Sequence, residues 1–214
     1  MFLGSSCVYP KKTKIPIKEE YLLTSELEST NEMYAIAKIA GLKMCKAYNS
    51  QFKTDFRAIM PTNLYGQNDN YDDLNSHVLA ALIKKIVLAK KQNKKSFKVW
   101  GTGKPKREFL HVDDLADATI KIMNLSKLKY NKIAGEKFPF INVGTGSDIS
   151  IKDLAKLISK IVGFKGKMIF DKSKPDGTIR KLMDNTKLKT IKWKPKISLK
   201  SGIKKTIEDF KATI

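Results

Sequence analysis

The chain has 214 residues, of which 42% are hydrophobic, and its 42 lysines and arginines against 21 aspartates and glutamates give a formal net charge of +21. That length is enough to bury a sizeable core in one large or two small domains. No stretch approaches the run of about 18 apolar residues that crosses a bilayer, and no signal-peptide pattern is present, so we expect a cytoplasmic protein without a membrane partner.

The excess positive charge is almost entirely lysine. Arginine occurs only at positions 57, 107 and 180, whereas base recognition and bidentate phosphate binding favour arginine. Because the lysines are spread over every segment, we expect no nucleic-acid partner, and only the net charge supports a nucleic-acid-binding alternative. Cys7 and Cys45 show neither metal-ligand nor disulfide spacing, which agrees with a reducing compartment and predicts no metal site.

Strand and helix patterns alternate along the chain, which is typical of an α/β fold with a parallel sheet. In chain order, the first predicted elements are a strand end at 2–4, a loop at 9–20, a helix at 31–50 capped by Asn31 or Thr30, and a strand at 56–60. A helix at 78–90, a strand at 97–100, a turn at 101–105 and a helix at 115–125 follow. The last predicted elements are a strand at 138–143, a helix at 151–162, one strand and a lysine- and proline-rich loop after 168, and a final helix from about 199.

Two of the predicted helices carry an apolar face, and two others carry capping signals. The first helix is expected to carry a broad apolar surface made of Tyr34, Ala37, Ile39, Leu42, Met44 and Cys45. The second is expected to bury Leu79, Leu82, Ile83, Ile86 and Val87. Asp113 or Asp114 is expected to cap the helix at 115–125, and Ser150 with Asp153 resembles a capping box.

Tyr34 and Lys38 stand four residues apart, so they share one face of the first predicted helix. A lysine beside a tyrosine favours the phenolate, which makes the tyrosine a usable acid or base near neutral pH. The pair alone is weak evidence, because both residues are common on amphipathic helices. It gains weight from three other strings, Leu-Gly-Ser-Ser-Cys-Val-Tyr-Pro at 3–10, Pro-Thr-Asn-Leu-Tyr-Gly at 61–66 and Arg-Glu-Phe-Leu-His-Val-Asp-Asp at 107–114.

In this order, the strings resemble those of the extended short-chain dehydrogenase/reductases that act on nucleotide sugars. Within that family, four more strings resemble the GDP-4-keto-6-deoxy-D-mannose epimerase/reductases: Ser5-Ser6-Cys7, Asn75-Ser76-His77, Val99-Trp100-Gly101 and Lys174-Pro175-Asp176-Gly177-Thr178. The resemblance runs from residue 2 to about 210. It implies a Rossmann-type doubly wound parallel sheet with a smaller α/β substrate-binding lobe, NADP(H) as cofactor, and 3,5-epimerisation with 4-reduction to GDP-L-fucose.

The chain departs from the family in its glycines. Family enzymes open with a strand, a glycine-rich turn and a helix that hold the cofactor pyrophosphate. Here the only G-x-G pairs are at 101–103 and 144–146, and neither has a third glycine three residues on. By motif order, we expect the sequence to match roughly the last two-thirds of a family enzyme, entering at the strand that ends in the catalytic serine.

The resemblance also implies a division of the chain and its partners. Residues 1–66 are expected to form the remainder of the NADP-binding domain, and 67–214 mainly the lobe for GDP-sugar, with segments at about 107–125 and 138–146 returning to the Rossmann domain. A separate N-terminal half or a longer native start would supply the missing part. Family members pair through the helix bearing Tyr34, so a homodimer is expected of the full-length form.

For catalysis, the resemblance implies that Ser5 orients the C4 oxygen of the sugar, Tyr34 donates a proton to it, and Lys38 holds the nicotinamide ribose. Cys7 is the implied base and His77 the implied acid for inversion at C3 and C5. By ordinary residue statistics, Ser5 would cap a turn, Cys7 would be a small buried residue, and His77 would cap a helix. The family strings favour the functional interpretation.

The resemblance implies cofactor contacts at Leu3, Gly4, Ser5, Ser6, Lys38, Pro61, Thr62, Asn63, Leu64 and His77. It implies substrate contacts at Lys85, Trp100, Arg107 and Asp176. The planar fork of an arginine suits a diphosphate. Trp100 could instead be core, and Lys85 an ordinary solvated residue. His111 is interpreted as a structural link at the domain junction.

Two other functions stay open. One is a non-catalytic remnant that binds a GDP-sugar or a partner. The other is a nucleotide-sugar 4-epimerase or 4,6-dehydratase, which tightly retained NAD without net NADPH use would indicate. Cys7 and His77 argue against the second, because those reactions do not need them in this arrangement.

Overall fold

The structure is a computed structural model that describes residues 1–73 and 75–214. Its strands, in chain order, are β1 (Phe2–Leu3), β2 (Ala58–Pro61), β3 (Asn63–Tyr65), β4 (Ser96–Trp100), β5 (Lys106–His111), β6 (Phe140–Val143), β7 (Asp148–Ser150), β8 (Lys167–Asp171) and β9 (Arg180–Lys181). Its α-helices are α1 (Glu32–Phe52), α2 (Val78–Lys91), α3 (Val112–Met123), α4 (Lys127–Ala134), α5 (Ile151–Val162), α6 (Thr186–Thr190) and α7 (Leu199–Ala212). None of the helices in these residues is both long and apolar enough to span a membrane.

β1, β2 and β6 form a parallel sheet with β2 in the middle. Ala58 and Met60 of β2 pack with Phe140 of β6 on one face, whereas Ile59 packs with Ile141 on the other. Successive side chains of a strand point to opposite faces, and here both faces are covered, which explains the continuous apolar runs in the sequence. The predicted α/β fold with parallel strands is confirmed.

The remaining strands form a second sheet around β5 and a separate pair. β3 pairs in parallel with β5, which also pairs with β7 in antiparallel and with β9 in parallel orientation. β4 and β8 form a separate parallel pair. β2 and β3 are separated by Thr62 alone, so one segment of chain connects the first sheet to the second.

The buried apolar residues form three clusters. The α1-side cluster contains Val8, Tyr9, Ile17, Leu22, Ile39, Leu42, Ala58, Met60, Phe140 and Met183. The α3-side cluster contains Ile59, Leu110, Leu115, Ala118, Ile122, Tyr130, Ala134, Ile141, Val143, Leu188, Ile191 and Trp193. The α2-side cluster is built around α2, α5 and α7 and includes Leu79, Ile83, Ile86, Leu154, Ile158, Ile203, Ile207 and Phe210. Residues after 182 therefore contribute to all three clusters.

These clusters bear on the predicted division of the chain. Side chains from 107–125 and 138–146 lie in the α3-side cluster together with the first sheet. The segment from Leu188 to Trp193 lies there too, although the predicted boundaries gave it to the substrate lobe. The division into domains stays a prediction.

α1 extends over Glu32–Phe52, close to the predicted range, and only part of its predicted apolar surface is buried. Ala35, Ile39 and Leu42 are buried. Tyr34 and Met44 are 48% and 61% exposed. The described part of the chain packs on only one side of α1.

The predicted cap of α3 is also wrong. The helix begins at Val112, and the residue that caps it is His111, whose Nδ1 accepts a hydrogen bond from the backbone N–H of Asp113 at 3.2 Å. Asp113 and Asp114 lie in the first turn. Asp114 is buried and accepts hydrogen bonds from the backbone of residues 196 and 197, so its role is to anchor a distant loop.

Other predicted elements agree with the structure. All five residues predicted to line the inner face of α2 are buried. α5 covers 151–162 as predicted, and Ser150 Oγ accepts from the backbone N–H of Asp153 at 3.0 Å, which confirms the cap. The loop predicted after 168 also contains β9 and α6, which were not predicted.

Candidate functional site

A cavity of about 570 Å³ lies at the carboxyl ends of β1 and β2, beside the first turns of α1. Its wall is formed by Leu3, Gly4, Ser5, Ser6, Cys7, Asn31, Tyr34, Lys38, Pro61, Thr62, Asn63, Leu64, His77 and Leu115. These include every residue predicted for catalysis and every residue predicted to contact the cofactor. Neighbouring parallel strands end at the same edge of a sheet, which is where open α/β sheets place their ligands.

Tyr34 and Lys38 lie on the face of α1 that borders the cavity. Lys38 Nζ donates a hydrogen bond to the backbone oxygen of Leu3 at 2.9 Å and lies 5.6 Å from the centroid of the Tyr34 ring. The bond to the end of β1 holds the ammonium at the cavity wall. A lysine ammonium has three N–H donors, and Leu3 takes one of them.

Ser5 and Cys7 lie in the short turn that follows β1. The Oγ atom of Ser5 accepts from the backbone N–H of Cys7 at 3.2 Å, so Ser5 does cap the 3₁₀ turn at Ser6–Val8. Because Ser5 Oγ is the acceptor in this bond, its own proton can still be donated to a ligand. Cys7 is half-buried and borders the cavity, so it is not a closed core residue.

His77 immediately precedes α2, with an extended backbone at φ −67° and ψ 155°. Its side chain makes no capping hydrogen bond to the described residues of the helix. The residue is exposed and borders the cavity. The structure therefore does not support a helix-capping role for this side chain.

Two of the four predicted substrate contacts meet beside a smaller cavity of about 160 Å³. Lys85 Nζ lies 4.6 Å from the centroid of the Trp100 ring, and Lys174 Nζ approaches the same ring at 5.6 Å. Trp100 is 50% exposed, so it is not a core residue. Burial lowers the pKa of Lys85, which is therefore not an ordinary solvated lysine. Cation–π contacts of this kind arrange positive charge around an aromatic surface.

The other two predicted substrate contacts, Arg107 and Asp176, interact with each other through their charges. Burial lowers the pKa of the Arg107 guanidinium, and the charge of Asp176 opposes that effect. Asp176 accepts hydrogen bonds from both the backbone N–H and the hydroxyl of Thr102 at 2.7 Å, which lower the pKa of its carboxyl. Asp176 thereby attaches the loop at 172–178 to the turn that follows β4.

Consecutive residues line the two cavities, Ser76 the smaller one and His77 the larger. The structure thus brings the catalytic and cofactor-binding candidates into one cavity, and places Lys85 and Trp100 in the next. Arg107 and Asp176 border neither of these two cavities.

Sequence reasoning missed two residues at this site. Asn31 was predicted only as a helix cap, yet it borders the larger cavity, and its amide donates to the Glu28 carboxylate. Lys181 was not singled out, and its Nζ donates to Cys7 Sγ at 3.8 Å. No local signal could have revealed Lys181, because the contact joins residues 174 positions apart.

His111 lies outside the wall of the larger cavity. Its side chain is 1% exposed, and its ring packs edge-on against Tyr65 with a centroid separation of 5.3 Å. Burial lowers the pKa of His111. Its contacts are those of a capping and packing residue.

The larger cavity therefore combines a hydroxyl, a phenol, a thiol, an imidazole and an ammonium. Such groups can donate and remove protons at a bound carbonyl compound. The thiol of Cys7 and the imidazole of His77 belong to different elements, the turn after β1 and the start of α2. A ligand lying between them would have an acid or base on each side.

Comparison with known proteins gives a consistent result. Residues 1–134 match the NAD dependent epimerase/dehydratase family. The chain is 51% identical to GDP-L-fucose synthase from Escherichia coli (strain K12) over 98% of its length, and 50% identical to GDP-L-fucose synthase 1 from Arabidopsis thaliana over 97%. It spans 65% and 62% of the lengths of these two relatives.

A solved structure of similar shape is that of the GDP-mannoheptose C4 reductase from Campylobacter jejuni with NADP bound. It is 42% identical to this chain, with a TM-score of 0.86, over 98% of this chain and 66% of that one. The matches confirm the predicted resemblance to nucleotide-sugar enzymes. With nearly two thirds of its residues in the matched segment, the chain belongs to the NAD dependent epimerase/dehydratase family.

Proposed function

We propose that the protein catalyses the NADPH-dependent 3,5-epimerisation and 4-reduction of GDP-4-keto-6-deoxy-D-mannose to GDP-L-fucose. The observation that carries this proposal is the convergence of Ser5, Cys7, Tyr34, Lys38 and His77 on one cavity. Their segments of chain are distant in sequence, so the fold has to bring them together. The GDP-L-fucose synthases among the relatives support the choice of substrate.

The larger cavity fits the nicotinamide part of NADP(H). Lys38 presents an ammonium fixed by Leu3, and Tyr34 presents a phenol, which are the donors that ribose hydroxyls require. The backbone from Leu3 to Ser6 and from Pro61 to Leu64 forms the adjoining wall. When bound, the cofactor supplies the hydride that reduces C4.

The side chains of the cavity would perform the proton transfers. Protons next to the C4 ketone are acidic enough for a modest base. The thiolate of Cys7 would take a proton from C3 or C5, so that an S–H bond forms, a C–H bond breaks and the electron pair passes to the C4 oxygen. His77 would return a proton from the other face. Tyr34 would then protonate the C4 oxygen, which Ser5 orients through its hydroxyl.

The GDP portion would extend toward the smaller cavity. Lys85 and Trp100 lie together there and offer a positive charge and an aromatic ring. Arg107 offers a planar guanidinium suited to a diphosphate, and Asp176 positions the adjoining loop. We propose these four residues as the contacts of the GDP-sugar.

The test is turnover in deuterium oxide. The protein is mixed with GDP-4-keto-6-deoxy-D-mannose and NADPH, the absorbance of NADPH is followed at its nicotinamide band, and deuterium at C3 and C5 is measured by NMR. We expect Tyr34→Phe to abolish NADPH oxidation and Cys7→Ser to suppress deuterium entry, with Cys45→Ser as the matched control that changes neither. Deuterium entry at the wild-type rate in the Cys7 variant would show that the base is another residue.

A second candidate is a protein that binds the GDP-sugar without turning it over. The observation that favours it is that Lys85 and Trp100 form a separate cavity, which does not depend on the NADP-binding part. Calorimetric titration with GDP and with NADPH separates the two functions. GDP binding without NADPH binding or turnover would establish the second candidate and exclude the first.

We also propose cytoplasmic localisation, homodimerisation through α1, and a contact of β1 with an N-terminal half of the Rossmann domain. Several apolar side chains of α1 are exposed, namely Met33, Ile36, Met44, Tyr48 and Phe52. In the described sheet, β1 pairs only with β2, so no strand pairs with its other edge. Both features suit a surface that another polypeptide covers.

A further inference from the structure

Lys181 is the charged residue in contact with the Cys7 thiol. Its Nζ atom donates to Cys7 Sγ at 3.8 Å, across 174 positions of sequence. None of the ion pairs in the described part of the chain includes Lys181. Its neighbour Arg180 does have a carboxylate partner, Asp148, on the other side of the strand. Successive side chains of β9 point to opposite faces of the strand. Arg180 therefore forms a salt bridge on one face, and Lys181 contacts the sulfur on the other.

The backbone holds Lys181 in place from several directions. β9 pairs with β5 so that Lys181 lies opposite Arg107. The backbone oxygen of Leu182 accepts from Ile17 at 2.7 Å, and the backbone N–H of Met183 donates to the buried Glu108 carboxylate at 2.9 Å. The ammonium of Lys181 therefore extends from a segment whose backbone is held by pairing with β5 and by the hydrogen bonds of Leu182 and Met183.

Positive charge dominates the surroundings of Cys7. Lys181 approaches from β9, and Arg107 of β5 interacts with Cys7 through its charge. The other titratable groups on the shared cavity wall are Tyr34 and Lys38 of α1 and His77 before α2. None of these is a carboxylate, so nothing on the described wall opposes a negative sulfur.

We propose that Lys181 positions the Cys7 sulfur at the cavity through its N–H···S contact, and so acts as a positioning residue for proton removal at C3 and C5. The thiolate, not the thiol, takes up a proton, and a neighbouring ammonium favours the thiolate. Lys181 keeps its own protons throughout: the sulfur gains the carbon-bound proton, and the C–H electron pair moves to the C4 oxygen. This role rests on the proposed function, but the state of the thiol can be measured without turnover.

The test is alkylation of the wild type and Lys181→Met by iodoacetamide at pH 7, with each cysteine quantified by peptide mass spectrometry. In Lys181→Met, we expect Cys7 alkylation to fall roughly threefold to tenfold. Lys181→Arg should restore most of the reactivity. Lys172→Met removes an exposed lysine of the loop after β8 and should change nothing. Cys45 in the same samples reports on the fold.

Unchanged Cys7 alkylation in Lys181→Met, with Cys45 also unchanged, overturns the proposal. If that variant unfolds, Lys181→Ala takes its place. Unchanged Cys7 alkylation in a folded Lys181→Ala protein overturns the proposal.

Deuterium exchange separates the failure of this inference from that of the proposed function. If Lys181→Met exchanges deuterium at the wild-type rate, the inference fails and the proposed function stands. If the wild type exchanges none while alkylation depends on Lys181, the thiolate contact stands and the reaction must be another. An increase in KM for the GDP-sugar with unchanged alkylation would make Lys181 a substrate contact and overturn the positioning role.

Discussion

At the residue scale, a buried polar network supports the loop that precedes α1. Glu19 is buried, and its Oε1 accepts from the backbone N–H of Asn142 at 3.0 Å. The Asn142 side chain accepts from the Tyr9 hydroxyl and donates to the backbone oxygen of Ile17. Such a network stabilises a fold only when each member has its partners. The carboxyl of Glu19 is the acidic member of this network, and burial raises its pKa.

Burial is the largest effect on Glu19 and raises its pKa above the ordinary value of 4.5, although Asn142 and Lys187 oppose the shift. A carboxyl with a raised folded pKa favours folding below its unfolded pKa, and that contribution is lost as pH rises through the folded value. Glu19→Gln keeps the acceptor oxygen and does not titrate. The Tm of wild type minus that of Glu19→Gln should therefore fall as pH rises from about 4.5.

Glu20→Gln is the matched control, because Glu20 is exposed and adjacent. Its Tm difference from wild type should vary much less over the same pH range. A Glu19 difference that stayed constant or grew with rising pH would contradict the assigned direction.

At the element scale, the packing of α7 depends on a glycine. Gly202 lies on the buried face of α7, where an added Cβ would overlap the Tyr65 hydroxyl and lie 2.9 Å from two ring carbons. Tyr65 is itself 3% exposed and packed edge-on against Phe109 and His111, so the ring cannot move aside freely. Helix propensity alone would favour alanine over glycine by about 1 kcal/mol.

Gly202→Ala should therefore destabilise the protein by about 1–3 kcal/mol, because overpacking outweighs the gain in helix propensity. Urea unfolding measures the change. Ser201→Ala is the control, since Ser201 lies on the exposed side of the same turn. A Gly202 variant as stable as the wild type would show that the Tyr65 ring adapts without cost.

Helices with a clear period were predictable from sequence, whereas elements defined by distant pairing were not. α2 and α5 carry an apolar face and, for α5, a capping serine, so their ranges followed from local pattern. β9 has two residues and exists because β5 lies beside it. The narrow buried face of α1 could not be predicted either, because apolar side chains do not specify what packs against them.

At the candidate site too, some residues were predictable from local sequence and others were not. The residues of the larger cavity were predicted because short strings near Ser5, Tyr34, Pro61 and His77 each carry a recognisable pattern. Their meeting in one cavity agrees with the strand order, although their individual roles stay predictions. Lys181 has no such string, and only the pairing of β5 with β9 brings it to Cys7.

At the scale of the whole molecule, one side of α1 carries exposed apolar side chains. If it is the dimer interface that we propose, Ile36→Glu combined with Met44→Glu should convert a dimer into a monomer, because buried charges oppose association. Light scattering after gel filtration measures the mass against 24.2 kDa for one chain. The control is Ile120→Glu, at a 62% exposed position on α3. A wild-type mass of 24.2 kDa would contradict the proposal.

The contribution of the last residues to all three clusters affects how the chain folds during synthesis. Met183 belongs to the α1-side cluster, Trp193 to the α3-side cluster and Phe210 to the α2-side cluster. Domains commonly fold as units as the chain emerges from the ribosome. Here Met183, Trp193 and Phe210 complete the three clusters, so we expect each cluster to close only after its late residue has left the ribosome. The expected order of closure is the α1-side cluster, then the α3-side cluster, then the α2-side cluster.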